Sequence, residues 1–115
     1  MNEKLSSLPP EIQEKLNEAV KIIVEIANPQ LVILFGSYAT GCQTEESDLD
    51  LLVVADTTKR HELYVQLRRT LRPILDPLRF DLIVYQTSDW EYARHLRGFV
   101  TRDADRKGVR LFEAA

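Results

Sequence analysis

The sequence predicts an α/β fold of the α+β type, in which a small mixed β-sheet is flanked by helices. Three observations lead to this prediction: an apolar pattern with helical spacing near the start of the chain, short apolar runs after it, and proline or glycine between these segments. The chain has 115 residues, which is the size of one domain. We therefore expect residues 1–115 to form a single domain.

The first two elements are bounded by prolines. Apolar residues recur at helical spacing in Pro10–Ala27, which predicts an amphipathic helix, and Ser7 before the prolines is typical of a helix start. Asn28 should end this helix, because a residue that precedes proline is pushed out of the α region. Leu31–Phe35 is wholly apolar and too short for a helix, so it predicts a buried strand.

The next stretch begins with glycine and becomes polar. Residues 36–47 predict a tight turn, one short helical turn and a loop. Residues 48–54 begin with acids at alternate positions in an otherwise apolar run, which predicts a strand. Because alternate side chains of a strand point to the same face, Asp48 and Asp50 should point the same way.

A helix and a strand should follow. Residues 59–71 carry leucines at helical spacing, and Pro73 and Pro77 bracket the expected end of this helix. Residues 79–85 predict the third strand, with Asp81 inside an apolar run.

The last third of the chain gives weaker signals. Ser88 and Glu91 have the spacing of a capping box, which predicts a helix from there to about residue 96. Trp90 in this helix is expected to pack in the core. Farther on the pattern weakens, and residues 108–112 are a candidate last strand.

Composition excludes several classes of protein. Cys42 is the single cysteine, so an internal disulfide framework and a Cys-rich zinc site are excluded, and a cytoplasmic location is expected. No run approaches the roughly 18 apolar residues of a membrane span, so we expect no membrane association. The net charge of −3 argues against direct binding of nucleic acid.

Charge is distributed unevenly along the chain. Residues 1–56 hold 10 acids and 3 bases, whereas residues 57–115 hold 8 acids and 12 bases. Two interpretations of the basic half stay open: a solvated helix surface, or a surface that contacts an acidic partner or guides phosphates. Nine of these 12 bases form the two clusters concerned: Arg68, Arg69, Arg72, Arg94, Arg97, Arg102, Arg106, Lys107 and Arg110.

Three acids in predicted strands carry the chemical signal. Burying an ionised carboxylate costs several kcal/mol unless it is paired or binds a metal. If Asp81 lies on a neighbouring strand facing the same side as Asp48 and Asp50, three carboxylates could hold two Mg²⁺ ions for a phosphoryl displacement. Gly36 and Ser37 would then contact phosphate, since a glycine lets the backbone approach it closely.

The sequence does not contain a Walker A phosphate-binding loop, although its glycine spacing is similar. Gly36 and Gly41 have the glycine spacing of a Walker A loop, but Cys42 and Gln43 stand where the lysine and hydroxyl residue are required. The sequence also lacks the G-x-G-x-x-G, G-x-S-x-G and H-E-x-x-H motifs.

At residues 34–41, 47–53 and 80–83 the sequence resembles the minimal nucleotidyltransferases of the DNA polymerase beta superfamily. Their signature is Gly-Ser, a ten-residue spacer, two Asp separated by one residue, and a later third Asp, and all of it is present here. The resemblance implies a polymerase-beta-like nucleotidyltransferase fold, Mg²⁺ (two ions) and ATP as substrate. It also implies roles for six residues: nucleotide binding by Gly36, Ser37 and Ser47, and metal binding and catalysis by Asp48, Asp50 and Asp81.

Members of this size resemble the antitoxin half of two-gene prokaryotic modules, paired with a HEPN-domain toxin. Some of these antitoxins transfer AMP from ATP to a tyrosine of the toxin. The resemblance therefore implies Mg²⁺-dependent adenylyl transfer to a hydroxyl of a HEPN partner, within a homo- or hetero-oligomer. Two alternatives remain open: an antitoxin that binds nucleotide and masks its partner without catalysis, and a transferase that acts on a small molecule.

Overall fold

A computed structural model describes residues 3–114 of the chain. The predicted domain limits at residues 1 and 115 lie outside the described residues. Helices and strands follow one another in this order: α1 (Glu3–Ser6), α2 (Pro10–Ala27), β1 (Leu31–Phe35), α3 (Ser37–Thr40), β2 (Leu49–Ala55), α4 (Arg60–Leu75), β3 (Phe80–Gln86), α5 (Thr87–Ala93), α6 (Val100–Lys107) and β4 (Val109–Glu113).

The four strands form one mixed sheet in the order β3-β2-β1-β4. Strand β1 is antiparallel to both β2 and β4, whereas β2 and β3 run parallel. The parallel pair is possible because helix α4 carries the chain back along the sheet between the two strands. The prediction of a small mixed sheet flanked by helices is confirmed.

One face of the sheet packs against α2 and α4. Helix α2 begins at a proline, which is tolerated in a first helical turn, and ends where Asn28 adopts a left-handed φ of 45° before Pro29. The predicted bounds of this helix, Pro10–Ala27, are confirmed, although its N-cap position is Pro9 and not the Ser7 that the sequence suggested as a start signal. Buried side chains of α2 and α4 share one core with alternate residues of the strands: Leu16, Ala19, Ile23, Leu67, Leu71, Leu75, Val32, Leu34, Leu51, Val53 and Val84.

The other face of the sheet packs against α5 and α6. Its core contains the strand residues that alternate with those of the first core, together with Trp90 of α5 and Ala104 of α6. Trp90 is only 3% exposed, which confirms that it is a packing residue.

Helix ends differ from those predicted. Helix α4 continues past residue 71 to Leu75 with Pro73 inside its last turn. A proline there removes one backbone hydrogen bond, and the burial of Leu71 and Leu75 offsets this loss. The capping box is wrong: the side chain of Gln86, not Ser88, accepts the hydrogen bond of the cap, and Ser88 Oγ itself donates to that side chain at 2.6 Å. Helix α5 therefore begins at Thr87, and it ends at Ala93.

Helix α6 was not predicted, since six of its eight residues are polar. Ion pairs hold it in place: Asp105 Oδ2 lies 3.3 Å from Arg94 Nε, and Asp105 Oδ1 lies 2.9 Å from an amino nitrogen of Arg110. Because Asp105 is largely buried, these contacts tie α6 to the end of α5 and to β4. Two residues of the basic half thus stabilise the fold. Between residues 3 and 114, no helix is both long enough and apolar enough to span a bilayer.

Replacement of Leu71 by Ala tests the first core. Leu71 is fully buried between α4 and the sheet. We expect Leu71→Ala to lower the free energy of unfolding by about 2–5 kcal/mol, because the cavity cannot collapse completely. Urea denaturation followed by circular dichroism measures this loss. Arg69→Ala, an exposed change on the same helix, should alter stability by less than about 0.5 kcal/mol. Equal losses of unfolding free energy in the two variants would contradict the burial of Leu71 in this core.

Candidate active site

The predicted site residues meet where β1 ends and β2 and β3 begin. Asp50 lies opposite Phe35 of β1 on one side and opposite Asp81 of β3 on the other. Asp50 and Asp81 share the face of the sheet that packs against α5 and α6, since the strand residues two positions farther along, Leu52 and Ile83, belong to that core. The parallel register therefore brings two predicted acids side by side.

Gly36 allows the Asp50 carboxylate to lie against the backbone that follows β1. Its φ is 74° and its ψ is −154°, a conformation that is essentially restricted to glycine. A Cβ at this position would overlap Asp50 Oδ2 and lie 3.2 Å from Asp50 Cγ. The glycine of the Gly-Ser motif is thus required by a carboxylate of the same site. Ser37 begins the one-turn helix α3 directly after it.

The three acids repel one another. Burial, followed by the charges of Asp81 and Asp48, raises the pKa of the Asp50 carboxyl above its ordinary value. The site therefore favours any ligand that brings positive charge to these oxygens.

Arg79 holds the loop that leads into β2. Its Nε lies 3.1 Å from Asp48 Oδ1, and a second nitrogen donates to the carbonyl of Glu46 at 2.7 Å. The Asp48 Oδ1 atom is buried and has no hydrogen bond in the described part of the chain, since the contact with Arg79 lacks hydrogen-bond angles. Sequence reasoning missed this role of Arg79; its position two residues before Asp81 was the available signal.

Ser47 contributes to the same loop. Its Oγ accepts a hydrogen bond from the backbone N–H of Thr44 at 2.9 Å, and its own N–H donates to the carbonyl of Thr44 at 3.1 Å. These bonds shape the turn before β2. The nucleotide contact expected of Ser47 stays a prediction.

The acids are close without forming a ready-made metal centre. Within residues 3–114, no three His, Cys, Asp or Glu side chains already surround a common point suited to a metal ion. Asp48 lies beside Arg79, and Asp50 lies beside Gly36. Binding of a cation by all three acids would therefore require their side chains to turn.

Two cavities flank the acids. One of about 410 Å³ is bounded by Gly36 and Asp50 on the sheet side and by residues of α6. The other, about 470 Å³, adjoins Asp48 and Asp81. A larger one, about 530 Å³, lies between α2 and β4, away from the acids. Four residues of α6 border the cavity beside Gly36 and Asp50. Val100, Asp103 and Ala104 were missed together with that helix, whereas Lys107 was named only as a member of the basic half.

Substitution of Gly36 tests its contact with Asp50. We expect Gly36→Ala to lower the free energy of unfolding by about 1–3 kcal/mol, from strained backbone and from the overlap with Asp50. Urea denaturation measures the loss.

Gly41→Ala separates these two causes. Gly41 also has a positive φ, 79°, but a Cβ there meets open space, so only the backbone strain remains. In an Asp50→Ala background the cost of Gly36→Ala should fall toward that of Gly41→Ala. A cost that does not change in that background would show that the carboxylate does not touch the glycine.

Neutralising Asp50 should stabilise the metal-free protein. Its raised pKa means that the ionised form costs stability at any pH above the folded-state pKa, and that this cost vanishes below the unfolded-state pKa. Asp50→Asn should therefore raise the melting temperature at neutral pH, by an amount that shrinks as the pH falls through the folded-state pKa. Thermal unfolding in EDTA measures it.

Asp81→Asn is the comparison for this measurement. It removes one neighbouring charge but not the burial of Asp50, so it should stabilise less than Asp50→Asn. A lower melting temperature of Asp50→Asn at neutral pH would contradict this account.

The chain is similar to several known proteins. A Methanocaldococcus jannaschii protein, whose name proposes protein adenylyltransferase activity, is 37% identical over 86 residues, covering 73% of this chain and 85% of that protein. The crystal structure of a mutant MntA-HpeT toxin–antitoxin complex contains a chain of 25% identity with a TM-score of 0.65, over 86% of this chain and 73% of that one. A toxin–antitoxin structure with AMP-PNP gives 26% identity and a TM-score of 0.56 over the same shares.

The family match covers most of the chain, including the three aspartates of the site. Residues 14–98 match the family described as polymerase beta, nucleotidyltransferase. This segment contains the Gly-Ser turn and the acidic strands β2 and β3, and it ends before α6. The chain is an enzyme that belongs to the polymerase beta nucleotidyltransferase family.

Proposed function

We propose that this nucleotidyltransferase transfers AMP from Mg²⁺-bound ATP to a hydroxyl of a partner protein. The observation that carries the proposal is the register of β2 and β3, which sets Asp50 beside Asp81 and next to the Gly36 backbone. The relative named for protein adenylyl transfer and the similar complex with an ATP analogue support adenine as the base.

The six predicted residues have distinct roles in this proposal. Asp48, Asp50 and Asp81 bind metal, while Gly36 and Ser37 bind the phosphates, with Ser47 supporting them from the loop before β2. The acceptor oxygen bonds to the α-phosphorus while the bond from that phosphorus to the pyrophosphate oxygen breaks. Asp81, the exposed member of the acids, takes the proton of the acceptor hydroxyl, and pyrophosphate leaves.

The donor atoms suit Mg²⁺. All three side chains offer carboxylate oxygens, the ligands that hard cations prefer. Asp48 Oδ1 is buried with only the ion pair to Arg79, and burial, followed by repulsion from Asp81 and Asp48, raises the pKa of Asp50, so a cation would stabilise both carboxylates. When bound, Mg²⁺ neutralises charge on the phosphates during the displacement.

The partner we propose is a HEPN-domain toxin, and the acceptor its tyrosine. The similar solved complexes are toxin–antitoxin pairs, which supports a protein acceptor and a hetero-oligomer. The site lies open between two cavities at the end of the sheet, so a partner can supply the rest of the acceptor site. The single exposed cysteine suits the cytoplasm, where such a pair would act.

Intact mass of the partner tests the proposal. The product of the adjacent gene, which we expect to be a HEPN-domain protein, is mixed with this chain, ATP and Mg²⁺, and its intact mass is measured by mass spectrometry. We expect a gain of whole AMP units with the native chain and at least about a hundredfold less with Asp48→Asn, since metal binding is weakened.

Asp89→Asn is the matched control, because Asp89 is exposed on α5 outside the site. It should transfer AMP at the native rate, and the melting temperature of each variant checks folding. A stable complex without any mass gain would favour an antitoxin that acts by binding alone. Transfer to a free small molecule in place of the partner would favour the small-molecule transferase.

A further inference from the structure

Helix α6 forms one wall of the cavity that contains Gly36 and Asp50. The cavity, about 410 Å³, falls within the range of roughly 300–1,000 Å³ that is usual for small-molecule sites. Val100, Asp103 and Lys107 of α6 border it, spaced so that they lie on one side of the helix. This helix begins beyond the segment that matches the family.

Contacts at both ends of the segment fix where Lys107 stands. At Gly108 a Cβ would overlap Ile33 Cγ2 and the Ala104 carbonyl, so the chain after Lys107 lies directly against β1. On the outer side, Asp105 pairs with Arg94 and Arg110. The last turn of α6 is thereby held beside the end of β1, where Gly36 follows.

Among the residues that border this cavity, Lys107 is the positively charged one. Throughout the described residues its ammonium group makes no ion pair or hydrogen bond, although Arg94 and Arg110 nearby are paired. Asp103 borders the same cavity and is likewise unpaired. An exposed lysine without a protein partner costs the fold little stability, so its lack of a partner is not unusual in itself. Lys107, however, borders the same cavity as the Asp50 carboxylate.

We propose that Lys107 binds phosphate oxygens of the nucleoside triphosphate from the α6 side. This inference rests on the proposed function, because phosphates bound through a metal at Asp50 and through Gly36 must lie in this cavity. A lysine across the cavity then meets the most highly charged part of the substrate. The negative charge of Asp103 should repel the same phosphates. Lys107 should therefore strengthen phosphate binding, and Asp103 should weaken it.

The test measures binding of α,β-methylene ATP with Mg²⁺ by titration calorimetry. This analogue cannot lose pyrophosphate, so binding is separated from transfer. We expect Lys107→Gln to weaken binding about tenfold, the value of one charge-assisted contact, and Lys107→Arg to restore most of it. Asp103→Asn should tighten binding a few-fold. The difference between native and Lys107→Gln should shrink as salt is added.

Arg106→Gln is the matched control. Arg106 is exposed on the same turn of α6 but does not border the cavity, so its replacement should change the dissociation constant less than about twofold. Inorganic tripolyphosphate as a competitor should lose the same factor as the nucleotide analogue when Lys107 is changed, since the contact is to phosphate. Melting temperatures should not change, because Lys107 has no contact to lose.

Each outcome separates this inference from the proposed function. Native binding with Lys107→Gln equal to Arg106→Gln would overturn the role of Lys107 and leave adenylyl transfer standing. Weaker binding with Asp103→Asn and tighter binding with Lys107→Gln would overturn it in favour of a cation site on α6. A native chain that binds no nucleoside triphosphate would overturn both proposals.

Discussion

Repulsion among three carboxylates at one end of the sheet is the constraint on which the structure depends. Parallel pairing of β2 and β3 sets Asp50 beside Asp81, and antiparallel pairing with β1 sets the same residue against Gly36. Burial of Asp50 at this position, followed by the charges of Asp81 and Asp48, raises the pKa of its carboxyl. An arrangement of this kind is stable only because the rest of the chain fixes it.

That support comes from both faces of the sheet. Behind the site, β1 and β2 are buried along their length, so the strands cannot shift to separate the acids without exposing apolar side chains. At the front, the ion pairs of Asp105 hold α6 over the end of β1, and Arg79 holds the loop before β2. Charge repulsion at the site is thus offset by hydrophobic burial and by pairing elsewhere.

The sequence could predict the parts of the site that follow from periodicity. An apolar run with acids at alternate positions specifies a strand and the face its carboxylates take, so the juxtaposition of Asp50 and Asp81 needed only the assumption that their strands are neighbours. The motif that ties these acids to Gly36 and Ser37 then indicated the family. Helix α2 and strand β1 were equally clear, because each is bounded by a proline and has one unambiguous period.

Other parts depend on contacts between distant residues, which no local pattern reveals. Helix α6 is mostly polar and is held by ion pairs to the end of α5 and to β4. The apolar periodicity of its own residues therefore does not predict it. The cap of α5 is the side chain of Gln86, the last residue of a strand, where a serine and a glutamate had suggested a different start. Arg79 acts through the carbonyl of Glu46, a residue 33 positions earlier.

The two cavities beside the acids also separate the two ends of the proposed reaction. Phosphoryl displacement needs the attacking and leaving oxygens on opposite sides of the phosphorus. If the polyphosphate lies between Gly36 and Lys107, pyrophosphate departs along α6, and the acceptor must approach from the side of Asp81. There the cavity is bordered by two arginines of α4: Arg72, which is exposed, and Arg68, which is half-buried and lies over the Phe80 ring. In this proposal the basic half of the chain has three uses: Arg94 and Arg110 hold the fold, Lys107 binds phosphate, and the arginines of α4 face the acceptor.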